Sequence, residues 1–231
     1  MRIIAGAARG RRILSIPKAM PVRPISSRIR QSLFDILRSR TPGSRFLDLF
    51  AGTGAVGLEA LSRGAEHAVF VDGDRRCVEV IEKNLERAGW LLRPSGARLP
   101  GSARKASLPA PALDCVSPIP SSEAQKRPQS SRLGSVFHGD ILQPLSWIAY
   151  RSGVQCFDLV FMGPPYKDKS AHPLRVVSVV AKQILAAGLL EPKGWLVAQH
   201  HKSEMPEVPL GLELFRRTRY GDTLVSFFRR S

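Results

Sequence analysis

The chain has 231 residues, with 35 Lys and Arg against 19 Asp and Glu, a net charge of +16 and a sequence pI near 10.8. That length buries one good core, and that charge is foreign to an ordinary metabolic enzyme and points to a polyanionic partner. No apolar stretch reaches the ~18 residues of a membrane span, the Arg-rich start lacks the apolar segment of a signal peptide, and Cys77, Cys115 and Cys156, far apart and without C-x-x-C spacing, give neither a disulfide framework nor a zinc site and fit a reducing cytoplasm.

The first 45 residues hold ten Arg and one Lys against a single acid, Asp35. Arg2-Ile-Ile-Ala5 and Arg12-Ile-Leu-Ser-Ile16 are short β-prone runs joined by Gly6-Ala-Ala-Arg-Gly10, which predicts a hairpin. Ser26 or Ser27 then caps a helix with the apolar face Ile29, Leu33, Phe34, Ile36 and Leu37. Arg28, Arg30 and Arg38 fall on its other sides. Arginine stays charged at any working pH and forks phosphate oxygens in a bidentate way. Arg9, Arg11, Arg12, Arg23, Arg28 and Arg30 are therefore candidate contacts to a nucleic-acid backbone, on a basic extension spanning residues 1–42. A generally basic, solvated surface has the same composition, and charge does not separate RNA from DNA.

Residues 43–231 read as one nucleotide-binding α/β domain. The run Phe46-Leu-Asp-Leu-Phe-Ala-Gly-Thr-Gly-Ala-Val-Gly57 is an apolar strand with an acid, Asp48, followed by a glycine turn that opens a helix. Gly52 and Gly54 let a ligand approach the backbone closely. A second strand, His67-Ala-Val-Phe-Val-Asp72, also ends in a carboxylate, which completes the frame of a nucleotide-binding βαβ unit. Gly52-Thr-Gly-Ala-Val-Gly57 fits the dinucleotide pattern too, with Asp72 as the ribose acid. Asp48 argues against that occupant, because a buried negative charge beside a pyrophosphate is repelled strongly at low dielectric. S-adenosylmethionine has no phosphate and carries an amino group and a sulfonium, so an acid there attracts it. A turn that packs tightly and binds nothing is the remaining alternative.

Residues 91–135 contain seven Pro, nine Ser and three Gly, with seven basic residues against Asp114 and Glu123. So few large apolar side chains cannot offset ordering entropy, and an irregular insertion is expected. Ser135 to Asp140 reads as a short strand ending in an acid, which could cap a helix over Ile141–Tyr150. Phe157-Asp-Leu-Val-Phe-Met162 is an apolar strand that runs into Gly163-Pro164-Pro165-Tyr166, one residue away from the (Asp/Asn)-Pro-Pro-(Tyr/Phe) motif of amino-group methyltransferases. An exocyclic base amine is a poor nucleophile. Acceptors on its two N–H groups, one a side chain and one a Pro carbonyl, orient it and favour charge build-up on nitrogen. Two prolines fix that carbonyl, and an aromatic ring stacks the base. Seen alone, Pro-Pro-Tyr after a strand is an ordinary turn. Beyond it, Pro173–Leu190 has helical apolar spacing, Trp195–His200 reads as a strand with His200 and His201 on opposite faces, and Leu212–Arg217 with Leu224–Arg229 flank Tyr220-Gly-Asp-Thr223 as a closing antiparallel hairpin.

These segments together resemble the RsmD-type methyltransferases, which act on a guanine N2 in small-subunit ribosomal RNA. The resemblance rests on Met1-Arg-Ile-Ile-Ala-Gly6, Arg9-Gly-Arg-Arg12, Arg23 to Phe34, Leu47 to Gly64, Phe157 to Tyr166, Gly188 to Trp195 and Arg219 to Ser226, segments spread from one end of the chain to the other. It implies a Rossmann-like methyltransferase fold, a seven-stranded, mostly parallel sheet with a closing antiparallel hairpin. It implies S-adenosylmethionine as donor, held by Asp48, Phe50, Ala51, Gly52, Gly54, Asp72, Asp140 and Ile141, with Asp140 meeting the adenine amino group. It implies a base site at Gly163, Pro164, Pro165 and Tyr166, and a cytoplasmic monomer acting on ribosomal RNA or the small subunit, with no membrane and no metal. One departure stands out: the family has an acid where this chain has Gly163. Asp168 is close enough in sequence to turn inwards in its stead. An adenine-N6 methyltransferase on DNA or RNA, or an RNA-binding homologue with weakened catalysis, are the alternatives this leaves open.

Overall fold

The computed structural model describes residues 1–16, 25–91, 133–166 and 175–231. Strand β1 (Arg45–Leu49) is apolar on both faces apart from its first residue, Arg45, and Asp48, the pattern of a strand covered by helices on each side. It pairs in parallel with β2 (His67–Asp72) on one edge and β4 (Phe157–Met162) on the other. Strand β3 (Leu133–His138) continues the sheet beyond β2, and β5 (Leu190–His201) continues it beyond β4, both parallel. Strand β7 (Thr223–Arg230) returns antiparallel to β5, and β6 (Leu212–Tyr220) forms the edge. The seven strands therefore run β3-β2-β1-β4-β5-β7-β6. This is the expected Rossmann-like sheet with its antiparallel closure, and the chain reverses direction across the sheet between β1 and β4. Open α/β sheets bind ligands at such a switch point, outside the carboxyl ends of the strands.

Side-chain alternation sorts the core into two layers. Phe46, Phe70, Phe161, Val197 and Phe227 pack with α1 (Ser27–Ile36), α2 (Ala55–Ser62) and α3 (Arg75–Ala88). Leu47, Val69, Val160, Leu196 and Phe228 pack on the other face with α4 (Trp147–Ser152) and α5 (Val177–Ala186). Ser26 caps α1 by accepting from the Ile29 N–H at 3.2 Å, as its sequence predicts. Two helices differ from expectation. No helix covers Ile141–Tyr150 under an Asp140 cap; α4 starts at Trp147 after Ser146, beyond Pro144, which lacks the N–H a helix interior needs. Helix α5 stops at Ala186 because Gly188 turns left-handed, φ 64°, and β5 begins at Leu190. The end of the expected insertion, Leu133 to Ser135, is already β3, and Leu91 bridges Gly134 in parallel; residues 92–132 lie outside the described residues, as does Asp168. Cys77 is a free, buried thiol, whereas Cys156 is disulfide-bonded, which the wide cysteine spacing does not suggest. Among those residues no helix is long and apolar enough to cross a membrane.

The N-terminal residues form a tight antiparallel turn with a single bridge, Arg2 to Arg12. The Ile3 N–H donates to the Arg11 carbonyl at 3.0 Å and the Gly10 N–H to the Ile3 carbonyl at 2.9 Å. Ile3, Ala8 and Ile13 enter the same core as Leu33 and Phe34. Glu59 on α2 fastens this arm. Its carboxylate accepts from the N–H groups of Ile4 (2.8 Å) and Ala5 (3.0 Å) and pairs with Arg63 at 2.8 Å. Arg30 Nε lies 3.5 Å away, both side chains being wholly buried, and Arg30 Nη2 donates to the Arg2 carbonyl. The expectation that Arg30 contacts RNA is therefore corrected. It stands three and four residues before Leu33 and Phe34, so it lies on the buried stripe of α1 and serves as the counter-charge of Glu59. Removing one member of a buried pair leaves the other uncompensated, at ~3–5 kcal/mol. Glu59→Ala is expected to lower the urea unfolding free energy by that amount, and Arg63→Ala by about 1 kcal/mol or less. Equal losses would show that the Glu59 carboxylate does not hold the arm.

Candidate active site

Strand β1 carries Asp48 to the switch point, where it is 1% exposed. Its Oδ2 accepts from the Gly57 N–H at 2.9 Å, and its Oδ1 is buried with no hydrogen-bond partner among the described residues. Gly57 leaves no room for a side chain, since a Cβ there would stand 2.3 Å from the Phe70 ring. Helix α2 can therefore press its first turn against Asp48. Burial pushes the Asp48 carboxyl up from an ordinary 3.8 to about 8; the Gly57 N–H pulls it down, and the Asp72 charge adds to the rise.

The turn between β1 and α2 is wound by left-handed residues: Phe50 at φ 57°, Gly52 at 57° and Gly54 at 74°. Phe50 is the one non-glycine residue with positive φ among the described residues, a strained conformation of the kind that collects at ligand sites. Asp72, at the end of β2, holds the turn. Its Oδ2 accepts from the Gly52 N–H at 2.7 Å and its Oδ1 from the Asp74 N–H at 2.9 Å. Burial foremost raises its carboxyl as well. The Ala51 N–H donates to the Val71 carbonyl at 3.2 Å. Asp48, Phe50, Ala51, Gly52, Gly54 and Asp72 are thus brought together. Asp140 lies on the next loop, past the pair Asp72–His138. Its side chain is exposed and accepts from the Leu142 N–H at 2.9 Å, while Ile141 is buried.

An unpartnered buried carboxylate oxygen is a test of what the turn can hold. A ligand ammonium would satisfy Oδ1 and draw the proton off Asp48, whereas a pyrophosphate would set two anions together. The donor set fits S-adenosylmethionine and not a dinucleotide.

Strand β4 delivers the second half of the site. The Gly163 N–H donates to the Leu49 carbonyl at 3.3 Å, so the motif begins beside the glycine turn. Pro164 is buried, Pro165 exposed and Tyr166 half-buried. The Tyr166 hydroxyl sits 2.8 Å from Thr223 Oγ1 and accepts from Gln199 Nε2 at 3.1 Å; its ring lies 5.6 Å from the His201 ring. A Cβ at Gly163 would meet the Phe161 ring at 3.2 Å, so a larger residue there asks only a small shift of that ring. Gln199 and Thr223 escaped the sequence reading. The available signal was β-strand alternation: a polar Gln follows the apolar run Leu196–Ala198 and ends on the face of Val197.

The basic candidates Arg9, Arg11, Arg12 and Arg28 are exposed; Arg23 lies outside the described residues. Arg11 also donates to the Arg87 carbonyl at 2.7 Å. Strand β6 adds exposed Arg216, Arg217 and Arg219. The Ser32 hydroxyl bonds that of Tyr220, joining α1 to the tip of the β6–β7 hairpin. Among the described residues no cluster of His, Cys, Asp or Glu could hold a metal ion.

The family described as Conserved hypothetical protein 95 matches residues 1–106 and 143–229, breaking off where most of the insertion lies. The Bacillus subtilis protein YlbH, provisionally named an rRNA methyltransferase, is 28% identical over 231 residues, spanning 100% of this chain and 99% of that protein. Ribosomal RNA small subunit methyltransferase D of Escherichia coli K12 is 44% identical over 85 residues, covering 37% of this chain and 42% of the relative. Among solved structures, a hypothetical protein of Thermus thermophilus superposes with a TM-score of 0.62 at 28% identity, over 98% of each chain. Escherichia coli yhhF, provisionally named a methyltransferase, does so with a TM-score of 0.66 at 23% identity, over 100% of this chain and 98% of its own, a likeness that speaks for the fold alone. With the family match running over most of its length on a methyltransferase fold, this chain belongs to the Conserved hypothetical protein 95 family, the RsmD-type methyltransferases.

Proposed function

We propose that the protein transfers a methyl group from S-adenosylmethionine to an exocyclic amino group of a base in small-subunit ribosomal RNA, guanine N2 in particular. The observation that carries this reading is that Asp48, with its unpartnered Oδ1, lies on β1 directly beside β4, whose end runs into Gly163-Pro164-Pro165-Tyr166 and bonds back to Leu49. The names of the relatives support the RNA substrate. The reading places the protein in the cytoplasm, as a monomer on ribosomal RNA or the small subunit, with residues 1–42 as its RNA-gripping extension.

In this assignment Asp48 accepts from the amino group of the donor, Gly52 and Gly54 admit it close to the backbone, and Asp72 and Asp140 face its ribose and adenine. Phe50, Ala51 and Ile141 line the same pocket. When bound, S-adenosylmethionine supplies an electrophilic methyl carbon on a sulfonium. The rest falls to the chain. The target base leaves its stack to enter the site, Tyr166 stacks against it, and the Pro164 carbonyl accepts one N–H of its amine. Arg9, Arg11, Arg12, Arg23 and Arg28 hold the flanking phosphates. Gly163 favours one further reading, an RNA-binding homologue of weakened catalysis, because losing one transition-state hydrogen bond costs ~10²–10³ in rate.

Transfer of labelled methyl to unmodified small-subunit particles, with N2-methylguanine in the digest, is the expected outcome. N6-methyladenine as product would redirect the assignment to adenine, and binding without transfer would favour the non-catalytic reading. RNA affinity should fall steeply from low to moderate salt, as counterions return to the phosphates, and less steeply in Arg9→Ala/Arg12→Ala/Arg28→Ala; a flat salt response in the natural protein would remove the phosphate grip.

Asp48 also makes a pH prediction. In the folded, ligand-free protein its carboxyl keeps its proton up to about 8, whereas an ordinary carboxyl ionises near 3.8. Between those values the unfolded chain binds fewer protons, so stability falls as pH rises through the window. Asp48→Asn should flatten that fall in urea titrations of the free protein. Donor binding draws out the proton, so affinity should rise as pH climbs toward about 8, with proton release visible by calorimetry in buffers of different ionisation enthalpy. An unchanged stability profile in Asp48→Asn would refute the buried, protonated carboxyl.

A further inference from the structure

Five buried side-chain polar atoms lack a hydrogen-bond partner among the described residues, and two of them, Asp48 Oδ1 and Gln199 Oε1, border the same site. We propose that Gln199 supplies through its Oε1 the side-chain acceptor for the substrate amine that Gly163 cannot provide. The inference rests on the methyl-transfer reading above and names the residue that completes it.

The register of the sheet places the amide where the missing acid would act. Met162 on β4 pairs with Ala198 on β5, so the next residues along these parallel strands, Gly163 and Gln199, are lateral neighbours. Phe161 and Val197, two residues back, share the core of α1, α2 and α3, so alternation puts a side chain at either position on that face. Asp48 has the parity of Phe46 and lies on the same face. On the far side of β5, Gln199 pairs with Val225 and His201 with Thr223, again on the face of Val225 and Phe227.

The bonds already made by Gln199 fix its orientation. Nε2 donates to the Tyr166 hydroxyl, which Thr223 Oγ1 engages from the opposite side. The amide is thereby held against the aromatic residue that stacks the base, and Oε1 is left as a buried acceptor with no donor among the described residues. An exocyclic amine has two N–H donors to place. The Pro164 carbonyl takes one and Gln199 Oε1 takes the other, so both acceptors of the amine-activating arrangement are present without a carboxylate. The amide removes no proton; it orients the lone pair toward the methyl donor and stabilises the charge that builds on nitrogen, and the proton that the methylated amine sheds passes to solvent.

The test compares methyl-transfer rates on small-subunit particles for the natural protein, Gln199→Leu, Gly163→Asp and the double variant. Gln199→Leu is expected to lower kcat by ~10²-fold with KM for the particle nearly unchanged. Gly163→Asp restores an acceptor from β4, so the double variant should match Gly163→Asp within a few-fold, which a loss of folding in Gln199→Leu could not produce. Thr223→Val, which loosens Tyr166 but spares Oε1, should cost only a few-fold. Full activity in Gln199→Leu overturns the inference, as does a loss that Gly163→Asp fails to rescue. A silent natural protein beside an active Gly163→Asp overturns it too, while leaving the methyl-transfer reading standing. Silence in all four proteins defeats that reading and the inference with it.

Discussion

The site depends on the two-residue period of neighbouring parallel strands. Strands β1, β4 and β5 are locked in register and all end at the same edge, so every second residue must face the layer of α1, α2 and α3. Phe46, Phe161 and Val197 fill that layer with hydrocarbon. Two residues further along, the same geometry offers Asp48, Gly163 and Gln199 at the point where the hydrocarbon stops. On the antiparallel return of β7, Thr223 lies one step beyond Gln199 on the same face, opposite His201. A one-residue slip of any of these strands would turn its functional residue to the opposite face and expose its apolar ones. Burying the core therefore sets the site, with no separate device needed to align it.

The basic character of the chain divides into two roles that composition alone cannot separate. Arg30 is a wholly buried counter-charge that lets Glu59 collect the backbone N–H groups of the N-terminal arm. Arg45 is likewise engaged, its guanidinium bonded to Asp158 at 3.0 Å and within 3.2 Å of Glu191. Arg40 lies over the Trp195 ring at 4.2 Å. Arginines at the surface, among them Arg9, Arg11, Arg12 and Arg28 on the extension and Arg216, Arg217 and Arg219 on β6, are free to meet a polyanion. The extension is tied to the second group by the Ser32–Tyr220 hydroxyl bond, so an RNA held by one would also be presented to the other.

What could be read from the sequence was local in origin. The strand His67–Asp72 and the capped helix after Ser26 follow from propensity and spacing within a few residues, and both are found. The places of Asp48 and Asp72 beside the glycine turn were legible because apolar runs mark their two strands and the turn follows the first directly. The failures have equally definite causes. Charge alone puts Arg30 on an outer face, whereas its i+3 and i+4 neighbours, Leu33 and Phe34, carry it onto the buried one. The helix under Asp140 failed because Pro144 interrupts it. Gln199 and Thr223 could not be found at all, since their role arises from Tyr166 crossing to them over 33 and 57 residues of sequence. No window along the chain contains that contact.

The glycine at position 163 also has an electrostatic logic. Asp48 already loses ionisation to burial, and the charge of Asp72 adds to the penalty. An Asp at 163 would bring a third carboxyl to the same water-poor edge, one strand away from Asp48, where like charges interact strongly. A neutral amide accepts an N–H bond without that repulsion. It is a weaker acceptor than a carboxylate, because charge-assisted hydrogen bonds are roughly twice as strong as neutral ones. Substituting one for the other exchanges some transition-state stabilisation for a site in which Asp48 ionises more readily. Under the proposed function the missing acid and the unpartnered amide are two sides of one arrangement, in which the negative charge at the switch point would be kept for the donor and the base would be oriented by dipoles.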